Sequence, residues 1–263
     1  MGPIGLHGGG EYLPGDERFL DALLVAATAA AAARADLPSD GGGTDDTAHD
    51  VAAHGNEDPH IRVVILPTAA ARGRPDLAGA TGAAAFKRRA AATGIRARVD
   101  VALVVDAASA DDPVLAALLA GADLIHLSGG DPDIVPGLLD GSPAGRGVRA
   151  ARARGAVVGG ASAGAMVLAE WSWTPHGGIH GLGFVRGLAV VPHYDDVRRV
   201  AWQAGLDRVA PAGLGYLGLD ERTGVISSDD GWRVAGEGAA YWFAPGSSAP
   251  VVGRDGDRLT FPA

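Results

Sequence analysis

The sequence predicts one α/β domain built on a mostly parallel sheet, with an antiparallel extension towards the C-terminus. Two patterns point there. Short apolar runs alternate with helical stretches over most of the chain, as in a parallel sheet covered by helices. After Pro211 the pattern changes to closely spaced short strands with turns between them. The 263 residues are enough for one large domain with a sizeable core.

In chain order, residues 3–6 form a first strand closing on the turn His7-Gly8-Gly9-Gly10. Residues 16–34 read as a helix, with Asp16 and Glu17 suited to its positive end. Residues 38–59 are rich in Gly, Asp, Ala and His and lack periodicity, so a disordered surface insertion is expected. Its His49 and His54 stand beside Asp45, Asp46 and Asp50, with His60 just beyond. Nothing pre-organises them as ligands, so a solvated loop is expected rather than a metal site. Residues 61–66 and 99–105 read as strands, and 123–127 as another that ends in Ser128-Gly129-Gly130-Asp131. The run 156–160 leads into Ala161-Ser162-Ala163-Gly164, followed by a helix to about residue 171. Residues 214–219, 224–227, 232–234 and 240–243 are the short strands of the extension.

Composition excludes several classes. A net charge of −9 argues against nucleic acid or an anionic membrane as the main partner. The absence of cysteine removes disulfides, thiolate zinc sites and a cysteine nucleophile together. The longest apolar stretch, 22–33, is too short to span a bilayer. No signal-peptide or myristoylation pattern opens the sequence, so a cytoplasmic location is expected by default.

Gly160-Ala161-Ser162-Ala163-Gly164 fits G-x-S-x-G between an apolar strand and an Ala-rich helix. Such a turn exposes a serine Oγ and needs small neighbours, because the helix packs close to the strand. The N–H of Ala163 then points to where an oxyanion would form. A serine nucleophile needs a histidine base and an orienting carboxylate. No histidine follows His193, and Glu170 is the only carboxylate between Ser162 and His193. Glu170 is expected on the helix leading away from the serine, so the order Ser, acid, His of lipase-type hydrolases fails. His193 stands at a strand end and is better held than His176 or His180 in a Gly-rich loop. Asp220 and Glu221 are the downstream carboxylates in a comparable setting.

Five short motifs occur in matching order: Gly8-Gly9-Gly10-Glu11, Leu66-Pro67-Thr68-Ala69, Leu127-Ser128-Gly129-Gly130-Asp131, Gly159-Gly160-Ala161-Ser162-Ala163-Gly164-Ala165, and His193 with Gly218-Leu219-Asp220-Glu221-Arg222-Thr223. In these the chain resembles the peptidase S51 family, the cyanophycinases and dipeptidase E-like aspartyl dipeptidases. The resemblance implies a flavodoxin-like three-layer sandwich, related to class I glutamine amidotransferases with serine in place of cysteine. It implies Ser162 as nucleophile, His193 as base, Glu221 as acid with Asp220 its rival, and Gly130 and Ala163 as oxyanion donors. Asp131 is a substrate-binding candidate on the same motif. Arg198 and Arg199, on a helix beyond His193, could hold a substrate carboxylate or form a solvated face paired with Asp195 and Asp196.

Cyanophycinases carry Gln where Pro132 stands, and polar residues including an acid where Val191-Pro192 stand. Those positions serve the β-aspartyl-arginine unit. The expected activity is therefore hydrolysis of small acidic, aspartyl or β-aspartyl peptides through an acyl-enzyme. A cyanophycinase proper, or an amidotransferase-like domain that acts on a non-peptide amide or only binds a ligand, is the alternative. No cofactor or metal is expected, and a homodimer is left open.

Overall fold

The computed structural model describes residues 1–35 and 60–261; the 38–59 insertion, with His49 and His54, lies outside them. Five parallel strands make the centre of the main sheet: β1 (Ile4–His7), β2 (Ile61–Leu66), β3 (Ala97–Val101), β4 (Leu124–Leu127) and β5 (Val157–Ala161). Their spatial order is β1-β5-β4-β2-β3. Side chains alternate across the sheet. Ile61, Val63 and Ile65 pack with Phe19, Leu23, Leu24 and Phe86 of α1 (Glu17–Ala35) and α2 (Pro75–Thr93). Val64 and Leu66 face the other way, sharing a core with Leu119, Leu139 and Val148 of α4 (Pro113–Ala120), α5 (Val135–Leu139) and α6 (Pro143–Ala153). Burial on both faces explains why β2, β4 and β5 read as almost unbroken apolar runs.

The third predicted strand runs too far. β3 ends at Val101, and the chain leaves to feed the short helix α3 (Ala107–Ala110), capped reciprocally by Asp106 and Ser109. Ala102 and Val104 are apolar because they are buried in the core, without belonging to a strand.

A larger difference follows Ser162. The helix α7 (Ala163–Leu168) has only six residues, and Ala169 already begins β6 (Ala169–Thr174). Glu170 is therefore on a strand, not on the helix behind the serine. The alternation of Glu170 and Ser172 with Trp171 and Trp173 was the period-two signal for it. β6 starts a second, six-stranded sheet with β7 (Gly177–His180), β8 (Val185–Val191), β9 (Gly215–Leu219), β12 (Ala239–Phe243) and β13 (Val251–Arg254), in the order β13-β12-β9-β8-β6-β7. His180 ends a strand and His176 precedes it, so neither lies in a featureless loop. The expected antiparallel extension is formed by β10 (Thr223–Ser228), β11 (Gly231–Gly236) and β14 (Arg258–Leu259), added to the edge at β1. The segments expected beside it as β9 and β12 belong to the second sheet instead.

The result is an α/β sandwich. Leu188, Val190, Leu217, Leu219 and Trp242 of the second sheet share one core with the main sheet. Ala189, Val191 and Phe243 point outwards to pack with Tyr194 and with Leu206 of α8 (Asp196–Val209). Stacked rings tie the sheets: Trp232 of β11 and Trp242 of β12 each stack on Phe261, with ring centroids 4.7 and 4.9 Å apart. Among the described residues, no helix is long and apolar enough to cross a membrane.

Candidate active site

Ser162, Gly8 and Gly129 all lie just beyond the C-terminal ends of parallel strands, the edge at which open α/β sheets place their ligands. Ser162 sits between β5 and α7 at φ 49° and ψ −116°, a region a non-glycine residue occupies only when its surroundings insist. Its N–H donates to His7 O at 2.9 Å, and its carbonyl accepts from Met166 at 3.0 Å. A Cβ on Gly160 would overlap the backbone of Gly164, and one on Gly164 would overlap the backbone of Leu127. The small residues around the serine thus allow the helix to press on the sheet.

His193 follows β8 in the second sheet, also at positive φ (50°), and its N–H donates to Gly8 O at 2.7 Å. Its Nε2 lies 2.9 Å from Ser162 Oγ and its Nδ1 lies 2.7 Å from Glu221 Oε1. A carboxylate only accepts, so Nδ1 carries the proton and Nε2 is left to accept from the serine hydroxyl. Glu221 is fixed in turn because the next N–H, that of Arg222, donates to Gly9 O at 2.8 Å. Asp220 turns away. Its Oδ2 accepts from Ala239 N–H at 2.9 Å and stands 3.5 Å from Tyr241 Oη. Burial there raises its pKa.

Gly130 has φ 145°, and a side chain there would overlap the carbonyl of Ala69. Among the described residues its N–H has no acceptor, whereas the N–H of Gly129 donates to Glu11 Oε1 at 2.8 Å. Ala163 is the first residue of α7, so its N–H has no intrahelical acceptor either. Asp131 is occupied: Oδ1 accepts from Asp133 N–H at 3.0 Å, and Oδ2 pairs with Arg72 Nη1 at 2.6 Å. The Arg198 side chain lies outside the described residues. The Arg199 guanidinium lies over two rings, 4.8 Å from the Tyr194 centroid and 4.5 Å from that of Tyr241. Its place is on the aromatic outer face of the second sheet. Glu170 accepts from Gly187 N–H at 2.6 Å and takes no part.

No protein-family model matches the chain, and no curated protein does. Solved structures do. A peptidase from an acI-B1 actinobacterium aligns with 99% of this chain and 97% of its own, at a TM-score of 0.75 and 24% identity. A candidate peptidase E from Listeria monocytogenes EGD-e aligns with 90% of this chain and 100% of its own, at a TM-score of 0.54 and 12% identity. The fold is shared with both.

Within this α/β sandwich, sequence reasoning passed over the layer beneath the serine and histidine. His7 and Asp16 are buried, with Nε2 2.8 Å from Oδ1. His7 Nδ1 lies 3.3 Å from Gly9 N, and Asp16 Oδ2 accepts from Tyr12 N–H at 2.8 Å. The pair therefore braces the turn Gly8-Gly9-Gly10 from below. That turn holds His193 from above: a Cβ on Gly9 would overlap the imidazole. The glycine run makes room for the histidine rather than forming an oxyanion loop of the lipase kind. Beside it, Tyr12 Oη and His126 Nδ1 are 2.8 Å apart; burial lowers His126 to about 3 and raises Tyr12. The available signal was a cluster of polar residues, His7, Glu11, Tyr12 and Asp16, directly after an apolar strand. Among the described residues, no group of three or more His, Asp or Glu could hold a metal ion.

Proposed function

We propose that this chain is a serine peptidase of the S51 type that hydrolyses small acidic peptides at an aspartyl or β-aspartyl residue. One observation carries the reading: the unbroken series Ser162 Oγ, His193 Nε2, His193 Nδ1, Glu221 Oε1, at 2.9 and 2.7 Å. In the reaction, His193 takes the Ser162 proton as Oγ attacks the scissile carbonyl. The N–H groups of Gly130 and Ala163 receive the oxyanion, and Glu221 stabilises the imidazolium. His193 then protonates the leaving amine. A water, activated by the same imidazole, releases the acyl group from Ser162. The substrate class rests on the S51 motifs alone; the fold shared with a peptidase supports only the coarser reading of a hydrolase.

The test screens purified protein against Asp-X dipeptides, β-Asp-Arg and short p-nitrophenyl esters, alongside Ser162→Ala. Hydrolysis of an aspartyl peptide is expected, with the variant folded and lower in kcat by roughly 10⁶. A variant that keeps a tenth of the activity would end the proposal. Turnover of esters alone would move the chain to another class of hydrolase.

A further inference from the structure

We propose a second binding site, for a small multivalent oxyanion, at the opposite edge of the main sheet from Ser162. A cavity of about 470 Å³ is lined there by Arg149, Arg152, Phe184 and Arg186. Residues 1–3 precede β1 and residues 154–156 precede β5, whereas Gly8 and Ser162 follow those strands. A strand of four or five residues spans about 13–17 Å, so the cavity and the serine are separated by at least that much.

Among the described residues, the three guanidinium groups are short of negative charge. Arg152 Nη1 donates to Phe184 O at 3.1 Å and Nε to Gly2 O at 3.3 Å, both neutral carbonyls. Arg149 donates to Leu182 O at 2.9 Å and has one carboxylate, Asp140, at 3.4 Å. Both members of that pair are largely exposed, which makes the pairing weak. The Arg186 side chain has no hydrogen bond or ion pair to another described residue. Glu170, the other acid nearby, is turned to Gly187 N–H.

Phe184 supplies the wall. The guanidinium carbons of Arg149 and Arg152 lie 5.1 and 5.5 Å from its ring centroid. Stacking on an aromatic face fixes a guanidinium plane and leaves its edge N–H groups for a ligand. Burial also lowers the pKa of Arg152, the mark of a cation removed from water with no acid beside it. In a chain of net charge −9, a cluster of this sign is against the general trend. Planar forks recognise carboxylate and phosphate oxygens alike, two at a time. A phosphate or pyrophosphate and a di- or tricarboxylate are therefore the chemistries that fit.

The test is calorimetric titration of the whole protein with pyrophosphate and, separately, citrate, at constant ionic strength, with melting temperature followed in parallel. Saturable binding of one equivalent is expected for at least one of the two, and which one binds identifies the source. Arg186→Gln and Arg149→Gln should each weaken it at least tenfold. Both side chains are exposed and Arg186 holds no carbonyl, so these variants should fold, whereas Arg152 is half-buried and holds two backbone carbonyls. Ser162→Ala should bind the anion like the wild type. No saturable binding of either anion would overturn the site. So would binding that survives both Arg149→Gln and Arg186→Gln.

Discussion

Glu221 and Asp220 stand side by side in the turn after β9, and their surroundings separate their behaviour. Glu221 reaches His193, while Asp220 is tied to Ala239 and Tyr241. Glu221→Gln should lower kcat by about 10⁴, as losing the orienting charge does in a well-studied serine protease. Asp220→Asn should leave kcat within a fewfold of wild type and change stability in a pH-dependent way. Burial raises the Asp220 pKa in the folded state, so the folded protein holds this proton more tightly than the unfolded chain. Charging it as pH rises past the ordinary carboxylate range costs stability. The Asn variant should melt higher than wild type at pH 7, and that gain should vanish by about pH 3.5. A loss of activity at Asp220 with none at Glu221 would reverse the assignment. The rivalry was left open in the sequence because either neighbour could face the histidine. The outcome depends on Arg222 N–H bonding Gly9 O, a contact across more than 200 residues of chain.

Elements buried on both faces were the ones legible in advance. β2, β4 and β5 are short apolar runs bounded by Gly, Asp or Pro, and their observed limits fall within a residue of those read from sequence. The G-x-S-x-G turn was legible for a related reason, since only glycine tolerates the approach of α7 to the sheet. The second sheet was not legible. β9 pairs with β8 and β12, and each segment alone reads like any other short strand. The helix after Ser162 was overextended because Ala-rich residues continue to Ala169, and the two-residue alternation beyond it is brief. The packing of α7 gives its own prediction. A methyl at Gly164 meets Leu127 backbone, which cannot yield as a side chain would. Gly164→Ala should cost about 1–3 kcal/mol in urea unfolding. Gly137 in α5 has nothing within 4 Å of its Cβ position, so Gly137→Ala should instead add about 0.4–1 kcal/mol. Equal effects at the two sites would refute the close-packing account.

At the scale of the whole molecule, His126 links folding to acid. Its pKa is about 3 in the fold, against about 6.5 in an unfolded chain. Between those values the unfolded state binds the proton and the folded state does not. The contribution is complete above pH 6.5 and is lost progressively towards pH 3, by at most about 1.4 kcal/mol per pH unit. His126→Gln should show a shallower fall in stability from pH 6.5 to 4.5 than wild type, whatever its stability at pH 7. Parallel curves would mean that other groups carry the acid sensitivity.

The division of the fold into two sheets has a mechanical side. Ser162 is anchored to the main sheet, whereas His193 follows a strand of the second, so their 2.9 Å contact behaves as a strain gauge across the joint. Slippage of about 1 Å between the sheets would cost roughly 10² in rate while leaving both folded. Phe261, stacked with both Trp232 and Trp242, is the bolt of that joint. Phe261→Ala should therefore lower kcat even far below its melting temperature. Leu23→Ala, a comparable loss on the far face of the main sheet, should lower stability and spare the rate. A site divided in this way reports shear before the fold is lost. Under rising pressure or dilute urea, turnover should fade while far-ultraviolet circular dichroism still reads native.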